Sequence, residues 1–219
     1  LSITATDLEV ELVATSDVDV QRGGEITIPG RKLLDICRAL PGGTEITLTQ
    51  EGERMLVRAR KSRFTLTTLP AAEFPTVEEI NAEQTLQLPQ KDFKRLLDKT
   101  HFSMAQQDVR YYLNGLLLET SAKMLRAVAT DGHRLALCEV ELANGGKAGQ
   151  QVIVPRKGVL ELQRILGNED QLLEVSIGSN HLRVQIGEIR FTSKLIDGRF
   201  PDYAAVIPIG ADREVKLER

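Results

Sequence analysis

What this chain lacks narrows the field first. No run in it approaches the roughly 18 consecutive apolar residues that a membrane-spanning helix needs. No basic, apolar, small-residue leader opens it either. The expectation is a cytoplasmic protein without a membrane partner. Only two cysteines occur in 219 residues, Cys37 and Cys138, with no CxxC or Cys/His spacing around them. That argues against a disulfide framework and against structural zinc, and both thiols are expected to be small core side chains. GxSxG, Walker A and HExxH motifs are missing, as is any metal-spaced cluster, so neither a cofactor nor a metal is expected. Basic residues are not in excess: 28 Lys and Arg stand against 31 Asp and Glu, a net charge of -3. A nucleic-acid binder usually shows the opposite balance.

What is present is ordinary for a globular protein. The hydrophobic fraction is 42% and the charged fraction 27%, so disorder is not expected. The length suits one large domain or two compact ones. The chain has no initiator Met and begins directly in an alternating, strand-like run, LSITATDLEVELVA. It is therefore expected to be a piece of something longer.

An internal repeat organises nearly all of it. Residues 28 to 77 match residues 154 to 203 at an offset of 126 or 127. Pro29 falls on Pro155, Arg38 on Arg164, Arg63-Phe64-Thr65 on Arg190-Phe191-Thr192, and Phe74-Pro75 on Phe200-Pro201. Upstream, Ala5-Thr6-Asp7 corresponds to Ala129-Thr130-Asp131 at an offset of 124. A finer period places an aliphatic residue, then Pro, then basic residues at 28 to 31, 88 to 91 and 154 to 157. One more step of that size reaches Leu217, at the end of the chain.

Each half-unit reads as a short strand, a helix and about three strands. Pro suits a helix start. Leu33, Leu34, Ile36 and Leu40 then recur at helical spacing, as do Phe93, Leu96 and Leu97, and Val159, Leu160, Leu162 and Leu166. Pro41-Gly42-Gly43 and Gly167-Asn168 are stop signals. Strand alternation appears in EITLTQ, RMLVRAR, RFTLTTL, LEVSIG, LRVQIG and RFTSKL. The fold class is therefore α+β, with helices packed on one face of antiparallel sheets in repeated domains. Residues 1–75 form the C-terminal part of a first domain, 82–203 a complete second one, and 204–219 a linker and the first strand of a third. On this register the first domain lacks a counterpart of residues 85 to 124, so the natural protein is expected to extend beyond this chain at both ends.

Charge is segregated by element type. The three helices carry ten basic residues against four acidic, a net of +6, while the remainder carries 18 against 27, a net of -9. Arg31, Lys32, Lys91, Arg156 and Lys157 lie in first helical turns, where the macrodipole disfavours a cation by roughly 0.3 to 1 kcal/mol. An anion such as phosphate would offset that cost; a solvated helix face with no ligand is the plainer alternative. No aromatic interleaving or base-reading motif accompanies the cations, so any DNA contact is expected at the backbone and independent of sequence.

The segments HFSMAQQDVRYYLNG, VATDGHRLAL, VIVPRKGV and FTSKLIDGRFPDY, in this order and spacing, resemble the bacterial DNA polymerase III beta sliding clamp family. The resemblance covers essentially the whole chain. It implies a homodimer of three-domain subunits closed head to tail into a ring around double-stranded DNA, with helices lining a positive channel. Arg31, Arg156 and Lys157 would then face the channel, and the loop carrying Gln107, Tyr111 and Tyr112 would contact DNA; edge packing is the alternative for the tyrosines. A hydrophobic pocket for short linear motifs of the replicative polymerase, the clamp loader and repair proteins would map onto Leu113, Thr130, Gly132, His133, Arg134, Leu135, Pro201 and Val206. Ala204 and Ala205 would leave its rim neutral at positions where the resemblance implies basic residues in some relatives. The intersubunit contact would use Lys32, Ile36, Leu40, Phe64 and Leu66, although the aliphatics also suit an ordinary core.

Two other readings compete. An enzyme would have to use Asp131 and His133, but one His beside one Asp in a strand turn is usually structural, and His101 and His181 have no catalytic company. A binding scaffold without DNA would have no need for cations at three helix starts.

Overall fold

Each of the three α-helices among the described residues begins immediately after a proline. Pro29, Pro89 and Pro155 precede α1 (Gly30–Ala39), α2 (Gln90–Thr100) and α3 (Arg156–Ile165), with φ of -64°, -60° and -57°. The ring presets the dihedral a helix entry needs, and the proline carbonyl still accepts the opening bonds. At α1, Lys32 N and Leu33 N donate to Pro29 O at 3.0 and 3.2 Å. The computed structural model describes residues 1–77, 80–143, 145–147, 149–208 and 210. It divides into two units, Leu1–Glu79 and Ile80–Arg219.

In the first unit a hairpin of β1 (Ser2–Thr6) and β2 (Val10–Thr15) pairs Thr6 with Glu11. After α1 comes an antiparallel meander of β3 (Thr47–Glu51), β4 (Arg54–Ala59) and β5 (Ser62–Thr67). Ile36 of α1 meets Met55 and Val57 of β4 and Leu66 of β5 in a buried cluster edged by Leu33, Leu40 and Phe64.

The second unit holds two antiparallel sheets. One orders its strands β10-β7-β8-β9: Gln151–Pro155, Gly115–Thr120, Met124–Thr130 and Leu135–Glu141. The other contains β6 (Ala82–Pro89), β11 (Leu172–Gly178), β12 (His181–Ile186) and β13 (Ile189–Lys194), paired in that order. Helix α2 packs on β8 and β9, and α3 on β7, β10 and β13. Phe93, Leu96, Leu97, Val159 and Leu162 are all at most 1% exposed; burying each such side chain stabilises by about 1.5 to 3 kcal/mol. Helices α1 and α3 stop just before the expected Pro41-Gly42-Gly43 and Gly167-Asn168 signals, and the six strands read from alternation are all present.

Three sequence expectations need correction. Cys37 is exposed and Cys138 half-buried, so neither thiol is a closed core residue. On the short α1, Ile36 takes the inward position and the next residue is turned about 100° away. Cys138 lies on β9, the edge of its sheet, where cover is incomplete. Leu34 is 45% exposed, because α1 buries a single stripe and Leu33 and Ile36 already fill it. The strand expected near Leu217 lies outside the described residues.

Candidate functional site

The distinctive TDGHR segment is a closed turn between β8 and β9. Thr130 Oγ1 donates to Arg134 O at 2.7 Å and accepts from Gly132 N at 3.1 Å. Asp131 Oδ1 accepts from His133 N and Arg134 N, both at 3.0 Å, and its Oδ2 accepts from Arg134 Nε at 3.0 Å. Backbone bonds from His133 and Arg134 hold the Asp131 carboxyl down at about 2. Gly132 has φ +88°, and a Cβ there would lie 3.0 Å from Arg110 Nη1. Both backbone conformation and space therefore call for glycine. With both oxygens of Asp131 committed to the turn, an Asp131–His133 catalytic pair has no geometric support.

Arg110 joins this turn to the neighbouring loop. Its Nη2 donates to Asp131 O at 3.2 Å, while its Nε and Nη2 fork onto Asp108 at 3.0 and 2.8 Å. The Arg110 side chain lowers the Asp108 carboxyl to about 2. Asn114 closes the loop from the other end: Asp108 N donates to its Oδ1 at 2.9 Å, and its Nδ2 donates to Asp108 O at 2.8 Å. Gln107 sits at φ 56° between these anchors, and Val109 is 95% exposed at the tip.

The residues expected to contact DNA are distributed as follows. Arg156, opening α3, sends Nη1 to Met104 O at 3.4 Å, which brings this helix start beside the 104–110 loop. Lys157 is exposed, as is Arg31 in the first unit. Tyr111 and Tyr112 form an edge contact with centroids 5.7 Å apart. Tyr111 is 57% exposed, whereas Tyr112 packs against a core cluster. The anion expected at helix starts is not needed at α2: Lys91 pairs with Asp170, and Gln90 N and Lys91 N donate to Gln171 O and Glu169 O at 2.9 and 3.1 Å. At α3, Arg156 N donates to Asn114 O at 2.9 Å.

The expected pocket residues fall into three groups. Leu113 is buried in a cluster with Leu117, Val128, Ile153, Phe200 and Tyr203, and Leu135 packs against it; Thr130 pairs directly with Leu135 across the strands. Pro201 and Val206 lie exposed on the connector that follows β13. His133 and Arg134 line a cavity of about 310 Å³ with Phe102, Asp108, Arg110 and Arg156. Arg134 also lies over the Phe102 ring, 5.9 Å from its centroid. Of the residues expected at a subunit contact, Ile36 and Leu66 are core side chains, Leu40 and Phe64 are half-buried, and Lys32 is exposed. Arg110, Asn114, Phe102 and Tyr203 escaped the sequence reading; only their presence in the distinctive segments could have drawn attention to them.

The family described as "DNA polymerase III beta subunit, N-terminal domain" matches residues 1–78, and "DNA polymerase III beta subunit, central domain" matches residues 87–202. This chain belongs to the DNA polymerase III beta subunit family. Among relatives in that family, the beta sliding clamp of Escherichia coli K12 is 54% identical over 217 residues, 99% of this chain and 59% of its own length. The beta sliding clamp of Pseudomonas aeruginosa is 52% identical over 220 residues, 60% of its length. A crystal structure of the Pseudomonas aeruginosa subunit beta superposes with a TM-score of 0.92 at 52% identity, covering 96% of this chain and 58% of that one. Another, bound to griselimycin, also gives 0.92, covering 96% and 57%. The chain thus spans about three-fifths of the length of these beta subunits, and the fold is that of their clamp-type domains.

Proposed function

We propose that this chain acts within a sliding clamp of bacterial DNA replication: a non-catalytic processivity factor that encircles duplex DNA and tethers the replicative polymerase, the clamp loader and repair proteins. The observation that carries this reading is the family match over both units. Segregated charge supports it, because loosely held phosphates let a ring slide while closure, not affinity, keeps it on DNA. Arg31, Arg156, Lys157, Gln107, Tyr111 and Tyr112 are the proposed sequence-independent DNA contacts. Leu113, Thr130, Gly132, His133, Arg134, Leu135, Pro201 and Val206 are the proposed wall for hydrophobic linear motifs. The relative solved with griselimycin supports a ligand-binding role of some kind for such a subunit. Lys32, Leu40 and Phe64, at the margin of the first unit's core over Ile36 and Leu66, are the proposed contribution to a homodimer.

The test is duplex binding followed by fluorescence anisotropy across a salt series. Removing one cation that neutralises a phosphate should lower the slope of log K against log salt by about 0.9. Replacing both Arg156 and Lys157 with Ala is expected to reduce it by about 2, equally for unrelated DNA sequences. An unchanged slope would remove the helix starts from the DNA surface.

A further inference from the structure

Tyr203 lies on the connector between two proposed wall residues, Pro201 and Val206, yet it is itself 8% exposed. The sheet beneath it explains why. Because side chains two apart on a strand share a face, one face of β10-β7-β8-β9 carries two adjacent rows. Ile153, Leu117, Val128 and Leu137 oppose one another in the first, and Gln151, Glu119, Arg126 and Glu139 in the second. One row is apolar and the next is charged.

Tyr203 spans both. Its ring joins Leu117, Val128 and Ile153 in the apolar cluster. Its hydroxyl donates to Glu119 Oε2 and accepts from Arg126 Nη1 at 2.5 Å. Both partners are held in turn: Gln151 Nε2 donates to Glu119 Oε1 at 2.6 Å, and Arg126 Nε donates to Glu139 Oε1 at 2.6 Å. Burial pushes the Glu119 carboxyl up, but hydrogen bonds from Tyr203 and Gln151 and the charge of Arg126 outweigh it and keep the group below its ordinary value. The following turn hangs from the same residue, with Val206 N donating to Tyr203 O at 3.2 Å.

We infer that Tyr203 is a positioning residue for the hydrophobic pocket: its hydroxyl, locked between Glu119 and Arg126, fixes the connector and thereby holds Pro201 and Val206 where a docked apolar ligand would meet them. The inference rests on the pocket reading given above. A phenylalanine would preserve the ring's burial and lose both hydroxyl bonds. If burial alone held the connector, that change would be silent.

The experiment compares the wild-type chain with Tyr203→Phe and Glu119→Gln, reading amide exchange at Val206 and calorimetric binding of griselimycin. In Tyr203→Phe, exchange at Val206 should accelerate about tenfold, as expected for loss of hydrogen bonds to charged groups. Leu117 and Val128 amides should keep wild-type protection. Griselimycin affinity should fall about three- to tenfold. Glu119→Gln, which keeps an acceptor for the hydroxyl, should stay closer to wild type in both readouts. Unchanged exchange in Tyr203→Phe, or faster exchange with unchanged affinity, would overturn the inference. A wild-type chain that ignores griselimycin would count against the pocket reading instead, and the exchange comparison would still decide whether the hydroxyl fixes the connector.

Discussion

Asp7 and Asp131 hold their turns with the same bonds. Asp7 Oδ1 accepts from Glu9 N and Val10 N at 3.0 Å each, as Asp131 Oδ1 accepts from His133 N and Arg134 N. The preceding threonines match as well: Thr6 Oγ1 donates to Val10 O and accepts from Leu8 N at 2.9 and 3.1 Å. Two copies of one turn therefore serve two different places in the chain. Two differences remain: Arg134 Nε adds a bond to Asp131 Oδ2 where the apolar Val10 side chain offers none, and Leu8 has φ 75° where its counterpart is Gly132.

The second difference predicts a stabilising substitution. A side chain in the left-handed region costs roughly 1 to 2 kcal/mol, and Leu8 is 55% exposed, so it has little packing to lose. After the larger unfolded-state entropy of glycine is allowed for, Leu8→Gly should raise stability by about 0.5 to 1 kcal/mol in urea denaturation. A loss of stability would mean that Leu8 packs more than its exposure implies.

Asp131 gives a pH dependence with a definite sign. Its folded carboxyl titrates at about 2 against an ordinary 3.8. A depressed carboxylate contributes stability that is complete above the unfolded value and lost as pH falls through the folded one. The turn's contribution to stability should therefore be complete at about pH 5 and be lost between roughly pH 4 and 2, with the bonds themselves released as the carboxyl protonates near the lower end. Carbon-detected NMR titration of the Asp131 side chain checks the midpoint; a value near the ordinary 3.8 would deny the turn its charge-assisted bonds.

Asn114 should matter more than its polarity implies. Asn114→Ala leaves Asp108 N and Asp108 O without their present partners, which costs about 1 to 3 kcal/mol where the groups cannot reach water. Asn114→Asp should fall between, because a carboxylate still accepts from Asp108 N but cannot donate to Asp108 O. Thermal melts of the two variants, with backbone chemical shifts of residues 106 to 112 as a local readout, would separate this from a neutral surface change.

Gly158 predicts a coupled pair. A Cβ there would come 2.5 Å from Ser193 Oγ and 3.2 Å from Ser193 Cβ, so Gly158→Ala should destabilise by about 1 to 3 kcal/mol through overpacking. Ser193→Ala removes only the nearer atom. The double variant should recover part of the loss, giving a non-additive cycle; strict additivity would show that α3 shifts away from β13 instead.

Local patterning made most of the fold legible in the sequence. Strand alternation and helical spacing are properties of neighbouring residues, so β3 to β5, β11 to β13 and all three helices could be read one segment at a time. The repeat made the halves reinforce each other. Exposure of Cys37, Leu34 and Cys138 was not readable in this way, because it depends on how wide a stripe each helix buries and which strand lies at an edge.

By itself, then, the sequence determined the element order, the repeated turns at Asp7 and Asp131, and the concentration of positive charge on the helices, all set by residues within a few positions of one another. Only the tertiary structure decided that Asp170 neutralises Lys91, that Arg110 ties the 108 loop to the 131 turn, and that Tyr203 docks on Glu119 and Arg126. Those contacts join segments 21 to 84 residues apart. Such pairings arise from strand register and loop closure, which no local period encodes.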